Sequence, residues 1–547
     1  MRRAALSLAV ASVIAGCAQQ AAPERQALPL TFGVLGSSCA PDRLAQLRAA
    51  AVTVVELPLA WDRYEPVRGQ VDESYVAQSR ARLAACRDAG VQVVLSPGLQ
   101  YQPAWVRELS GAVLLGSAGG RPAGVDVVFS AAVRDATGEY LGRLATDVGF
   151  DGVAAVRVGT TTTGELGYPG PGAGGHTGEY WAFSVPAQHG SPLPGWVPGR
   201  GTVTAAQADT WFTWYFGALT AALGGQIDRL RELGFTGRVH LPVAGRGVLP
   251  ADRAAAVAGL LDGRNDPDGA LERGLDYPAI FAALAARADA DRIDIDFTGL
   301  DDVSAVRARA LDPAQDGCLP GDEDGLLERA DVADWSGQRF VAALARRHGL
   351  GLVGENPGAP DAPHTGGAAD SDPLAEQLVR APAYAAGCGM TTFLFAFEDD
   401  LFAGPAPDLD DYAGRIAAAR EEGEDGAGAA PGVRGSGDAR RGRRLGPHAR
   451  DQPQAGRPRS RGHGADHPVP RLRRPRPGRR HLPARRRGPR GQQVDPAARL
   501  RAGPAVRGPQ AARRPRRRGL LRAVLVDGRA ALDRPPDHRD GPVAARR

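Results

Sequence analysis

Short apolar runs rich in β-branched residues recur along the first four hundred residues. They are "TFGVL" (31–35), "VTVVELPL" (52–59), "VQVVLSP" (91–97), "VAAVRVG" (153–159), "RVHLPVAG" (238–245), "RIDIDFTG" (292–299), "GLGLVGEN" (349–356) and "MTTFLFAF" (390–397). Between them lie Ala/Leu/Arg stretches at helical spacing, such as "VAQSRARLAACRDAG", "ALTAALGGQIDRLRELG" and "GQRFVAALARRHG", several ending in a glycine directly before the next run. A glycine there is a normal helix stop. Near-continuous apolar strands alternating with helices predict a parallel sheet covered on both faces. Eight such units predict a closed (β/α)8 barrel, the TIM-barrel form of α/β architecture, over residues 30–415. An open doubly wound sheet fits less well, because no Gly-rich phosphate loop follows the first strand.

The ends of the chain follow other patterns. Residues 1–17 carry Arg2 and Arg3, an apolar run "AALSLAVASV", and then "IAGC". That order is a secretory signal. Its "IAGC" ending resembles a bacterial lipobox, which implies lipidation of Cys17 and export to the cell envelope on an acyl anchor rather than a spanning helix. Residues 18–29 then form a polar tether.

Composition divides the chain again near its far end. Residues 421–547 hold 33 Arg and 12 acidic residues, a net of +21, while residues 1–420 hold 34 Arg and 50 acids, a net of −16. The overall +5 is the sum of two unlike pieces, so a basic balance says nothing about the partners of the body. The Arg/Pro/Gly-rich tail lacks apolar periodicity and is expected to be disordered. It has no interleaved aromatics for a nucleic-acid arm, and no nucleic-acid partner is expected. Lysine is absent throughout and Ala, Gly and Arg abound. A shifted frame in a GC-rich gene, beginning near Glu422, produces such a composition, and it stands as the other reading of the tail. Four cysteines besides Cys17 suffice for two disulfides in an oxidising compartment, with no zinc-ligand spacing.

Candidate chemistry gathers at the carboxyl ends of the strands, where such barrels place their active sites. Glu56 lies in or near the end of the second run, Asp126 after the third, and Glu165 after the fourth. Asp301 and Asp302 follow the sixth, Glu355 ends the seventh, and Glu398, Asp399 and Asp400 close the eighth. Taken singly, each suits a salt bridge or a helix cap. Around one mouth they would push each other's pKa values apart, preparing one as acid and another as base or nucleophile. Trp61, Tyr64, Tyr101, Trp105, Tyr168, Tyr180 and Trp181 lie in the adjoining loops. They suit either packing or stacking on the C–H faces of sugar rings. No strand-end lysine and no histidine cluster favours an aldolase or a metal-dependent hydrolase.

The segment "VGTTTTGELGYPG" resembles the "VG-x4-GELRYPS" segment of β-amylases, glycoside hydrolase family 14. "LRAAAVTVVELPLAWDRYEPVRGQVD", "GVD" at 124–126, "IDFTGLDD" and "LVGENPG" are similar to further segments of that family, in the same order, over roughly residues 40–400. "WDRYEPVRGQVD" and "QPAWV" also resemble family 42 β-galactosidases, more loosely. The resemblance implies a glycoside hydrolase acting on an oligo- or polysaccharide with two carboxylates and no metal or organic cofactor. Glu165 is implied as general acid and Asp301 as its partner, whereas counting strands as in retaining barrel glycosidases, with a nucleophile at the end of the seventh, gives Glu355. Asp126 and Asn356 are implied to contact substrate, and Trp61, Tyr168 and Glu398 are further candidates by their place at the mouth. The stretch after the third strand, "SPGLQYQPAWV", lacks the Gly-rich lid of the β-amylases, so the implication stops at the glycosidase class. The alternative is an inactive carbohydrate-binding lipoprotein on the same scaffold.

Overall fold

The computed structural model describes residues 30–264, 269–356, 374–403 and 407–428. The predicted signal, Cys17, the tether and nearly all of the basic tail lie outside them.

The eight expected runs form eight strands. These are β1 (Thr31–Val34), β2 (Val54–Pro58), β3 (Gln92–Ser96), β4 (Val153–Arg157), β5 (Arg238–Val243), β6 (Ile293–Phe297), β7 (Gly351–Glu355) and β8 (Thr392–Phe395). Each pairs in parallel with the next and β8 returns to β1, closing the barrel in sequence order. This is the (β/α)8 fold. Helices that include Glu73–Asp88, Ala131–Asp147, Ala205–Glu232 and Gly337–Arg347 connect the strands. A last helix, Leu409–Gly428, runs beyond residue 415 and sends the buried Tyr412 hydroxyl to the Gly33 carbonyl at 2.8 Å.

Alternation along the strands separates two cores, because successive side chains point to opposite faces. Val239, Leu241, Val243, Ile293, Ile295 and Phe297 belong to the large core beneath the helices. Leu35, Val54, Val94, Ala155, Val353, Leu394 and Ala396 form a separate cluster that fills the barrel. No residue of β5 or β6 joins this inner cluster. Their inward positions are His240 and Pro242, and Asp294 and Asp296. The lumen is therefore apolar around most of its circumference and ionic on the β5–β6 side. Gly351 makes room for this: a Cβ there would lie 1.8 Å from Oδ1 of Asp294 and 2.6 Å from the Arg238 guanidinium. Two disulfides, Cys39–Cys86 and Cys318–Cys388, close chain separations of 47 and 70 residues. In the chain-entropy account each contributes about 4 kcal/mol.

Candidate active site

The threonine and glycine run after β4 is the mount of Glu165. The chain leaves β4 at Arg157 and folds back so that the N–H groups of Thr160 and Thr161 donate to the Glu165 carbonyl at 2.9 and 3.0 Å. In return the Glu165 N–H donates to the Thr161 hydroxyl at 2.9 Å. Thr160 bonds both the carbonyl and the N–H of Gly167, at 2.8 and 3.0 Å. Gly159 permits the closure, since a Cβ there would sit 1.9 Å from the Gly164 carbonyl oxygen. Leu166 then donates to the Pro242 carbonyl at 2.8 Å, which pins the turn to β5. Short hydroxyls that bond nearby backbone suit such a turn better than a helix.

This turn fixes the Glu165 carboxylate at the barrel mouth. Oε1 accepts the Thr298 hydroxyl at 2.8 Å, and Oε2 accepts Arg273 Nη2 and the Thr163 hydroxyl at 3.2 Å each. Its side chain is 21% exposed, open on one side while held on the others. Thr298 also ties this site to β7, because its carbonyl accepts the Asn356 side-chain amide. Glu355 precedes Asn356 and ends β7. One residue past β6 therefore touches Glu165 with its hydroxyl and the neighbour of Glu355 with its carbonyl.

Glu355 sits one layer above the apolar plug, two residues beyond Val353. Arg157, two residues beyond Ala155 on β4, grips it with two bonds of 2.6 and 3.2 Å. Bidentate guanidinium–carboxylate pairs are among the stronger and more directional polar contacts. The same Arg157 Nη1 lies 3.6 Å from Oδ2 of Asp296. Glu56 completes this layer from β2, accepting the Gly36 N–H at 2.7 Å. Burial raises the Glu56 pKa, against the pull of Arg157. Burial also works against the Arg157 charge, but the neighbouring carboxylates, Glu355 first, more than offset it.

Asp301, the other proposed partner of Glu165, is placed differently. Its side chain has no exposed surface, and its two oxygens accept Arg309 at 2.6 Å and Arg380 at 3.0 Å. Arg309 also reaches the Tyr384 hydroxyl at 2.6 Å. Asp301 thus ties the helix after β6 to the helix before β8. Asp302 is the N-cap of that first helix, Val303–Leu311.

Most of the other expected contacts point into the protein. Trp61 is fully buried, stacked on Tyr140 with centroids 4.8 Å apart and edge-on to Trp105. Tyr168 is 1% exposed, stacked on Tyr215 at 4.1 Å, and donates its hydroxyl to the Tyr215 carbonyl. Neither ring has a free face for a sugar. Asp126 is fully buried and accepts the Phe129 N–H at 2.7 Å and the Ser184 hydroxyl at 3.0 Å, joining two loops. Burial pushes its carboxyl up to about 6. Glu398 is fully buried too, with Oε1 accepting the Ser38 N–H and hydroxyl and the Arg43 guanidinium.

The aromatic surface at the mouth comes instead from Phe397, two residues past β8 and 52% exposed. Its ring lies over Gly36, where a Cβ would meet it at 3.3 Å. Arg157, Arg273, Thr298 and Phe397 are the residues that sequence reasoning missed. The signal for Arg157 was its place in strand alternation; Phe397 and Thr298 had only their positions at strand ends, and Arg273 had none. Grooves of about 460 and 540 Å³ flank the outer helix Ala205–Glu232, and neither is lined by a mouth carboxylate.

No protein-family model and no curated protein matches the chain. Two solved glycosidases are similar to it at low identity. The β-galactosidase of the psychrophilic Marinomonas ef1 is 14% identical with a TM-score of 0.46, over 73% of this chain and 60% of that one. The β-glycosidase BGL167 is 15% identical with a TM-score of 0.38, over 70% of this chain and 85% of that one. The chain thus spans less than two thirds of the galactosidase it is set beside.

Proposed function

We propose that the chain is a glycoside hydrolase that uses Glu165 as general acid and Glu355 as base or nucleophile on an oligo- or polysaccharide. The observation that carries this reading is the bridge through Thr298, whose hydroxyl meets Glu165 and whose carbonyl meets Asn356, the neighbour of Glu355. Asp301 is the weaker partner because its side chain has no exposed surface and arginines from two different helices hold it, whereas Glu355 keeps 8% of its side-chain surface exposed. Phe397 offers an exposed apolar face of the kind that sugar C–H surfaces stack on. Two-carboxylate hydrolysis needs an acid to protonate the leaving oxygen and a second carboxylate to act at the anomeric carbon. The test is turnover of a panel of nitrophenyl α- and β-glycosides and oligosaccharides by the protein and by Glu165→Gln. Turnover of nitrophenyl glycosides, with oligosaccharide hydrolysis that depends on Glu165, supports the reading. Retention of sugars with no turnover by either protein points to the inactive carbohydrate-binding alternative.

We also propose export and anchoring to the bacterial cell envelope through lipid on Cys17. The "IAGC" motif and the two paired disulfides support an oxidising destination. Mass spectrometry of the mature N-terminus is expected to find an acylated Cys17, and Cys17→Ser is expected to leave the protein unacylated. A mature chain that begins elsewhere contradicts this.

A further inference from the structure

The ionic side of the lumen holds more carboxylates than one cation can serve. Facing Asp296 are Glu56 from β2, Arg157 from β4, His240 from β5 and Glu355 from β7, with Asp294 two residues below it on β6. Asp294 is taken by Arg238 in a two-point ion pair. Arg157 is the remaining guanidinium, facing three carboxylates. It gives both of its bonds to Glu355, at 2.6 and 3.2 Å, and stands 3.6 Å from Asp296, outside hydrogen-bond distance. Glu56 has the Gly36 N–H. Asp296 has only that 3.6 Å approach: it is fully buried and neither of its oxygens has a hydrogen-bond partner.

The other unpartnered atom in this layer is Nδ1 of His240, 3.9 Å from Oδ2 of Asp296. On its far side, Nε2 of His240 lies 3.5 Å from the carboxylate of Asp294. A neutral imidazole has one N–H and one lone pair. The ionised, arginine-paired Asp294 calls for the N–H at Nε2, which leaves the lone pair of Nδ1 facing Asp296. We propose that Asp296 is a positioning residue that stays protonated, facing the lone pair of His240 Nδ1 across 3.9 Å, and so leaves the guanidinium of Arg157 to Glu355. That Asp296 acts on the reaction rests on the glycosidase reading above; that it holds the proton does not.

Electrostatics agree with the geometry. An ionised carboxylate buried without a partner is costly, and such groups take up a proton instead. Burial, and after it the nearby charge of Glu355, raises the Asp296 pKa well above the usual carboxylate range. His240 is no substitute cation, because burial pulls its pKa down to about 4. Were Asp296 charged, it would compete with Glu355 for Arg157 and loosen the two-point grip that orients the reacting carboxylate.

The test has three arms. The first is the infrared difference between the protein and Asp296→Asn at neutral pH. A protonated-carboxyl stretch present only in the unsubstituted protein is expected; Glu56 and Asp126, present in both, cancel. The second is thermal stability against pH. A raised folded-state pKa means that this group's contribution is lost as pH rises from about 4, the unfolded value. The melting temperature of Asp296→Asn is therefore expected to gain on that of the unsubstituted protein over that rise. The third is turnover. The ratio of kcat for Asp296→Asn to kcat for the unsubstituted protein is expected to rise with pH, because an ionised Asp296 draws Arg157 away from Glu355 and an asparagine cannot; loss of the Glu165 proton affects both proteins and cancels. A missing carboxyl band, a flat stability difference, or a kcat ratio that does not rise with pH overturns the proposal. Should the protein hydrolyse nothing, the glycosidase reading fails while the first two arms still decide where the proton is.

Discussion

Glu165→Gln is expected to slow hydrolysis of alkyl glycosides and oligosaccharides on the order of 10²-fold or more. Glycosides of strongly acidic phenols should lose far less in bond cleavage. An alkoxide is a poor leaving group, so its departure needs the proton that Glu165 delivers. A nitrophenolate departs without one. The substitution is close to isosteric and keeps an oxygen for the Thr298 hydroxyl, whose 2.8 Å bond orients the side chain. Loss of the mount is thus separated from loss of the proton. Arg273 can no longer form its ion pair with this residue, a 3.2 Å contact between side chains 18% and 21% exposed. Rates measured across leaving groups of graded acidity check the prediction. An equal loss for all of them would mean that Glu165 shapes the site without protonating anything.

The second large effect concerns Arg157. Arg157→Met keeps most of the volume and removes the charge. Glu355 then sits in a buried layer with no cation, the situation in which breaking one member of a buried pair costs about 3–5 kcal/mol. The side chain is only 13% exposed, so solvent does little to replace it. Without the guanidinium, burial favours the protonated form of Glu355. A raised folded-state pKa gives stability that is lost as pH rises, so the deficit against the unsubstituted protein should be small in acid and full at neutral pH. Denaturant unfolding at several pH values measures this directly. Turnover should fall with it, because a protonated Glu355 is neither base nor nucleophile. A variant as stable as the parent at neutral pH would show that the lumen tolerates the carboxylates unpaired.

The strands were legible because both faces of each are buried, which writes the near-continuous apolar runs that mark a parallel barrel. The place of Glu165 just past the fourth strand was legible too, while the threonine turn that holds it shows only in the hydrogen bonds of residues 159–167. What escaped notice lay inside those runs. "IDIDF" places Asp294 and Asp296 on alternate positions, and "AAVR" places Arg157 two beyond Ala155; this alternation points charge into the lumen. Attention to acids just past strand ends passed over acids within them. The aromatics show the opposite limit. Whether a loop tryptophan turns outward or inward depends on a partner far along the chain. Trp61 finds its own in Tyr140, on the helix before β4, and Tyr168 in Tyr215, on the helix before β5. Asp301 likewise looks like a mouth carboxylate until Arg309 and Arg380 arrive from two different helices.

The partnership of Glu165 with Glu355 is tested most directly by azide rescue. Glu355→Ala and Asp301→Ala are each assayed on an activated nitrophenyl glycoside, with and without sodium azide. Removing the true partner opens a space in which azide can attack the anomeric carbon. Glu355→Ala is expected to be inactive until azide is added, and then to release a glycosyl azide. Asp301→Ala is expected to lose stability, keep its turnover when folded, and give no azide adduct. A glycosyl azide from Asp301→Ala, with Glu355→Ala still active on its own, would contradict the pairing.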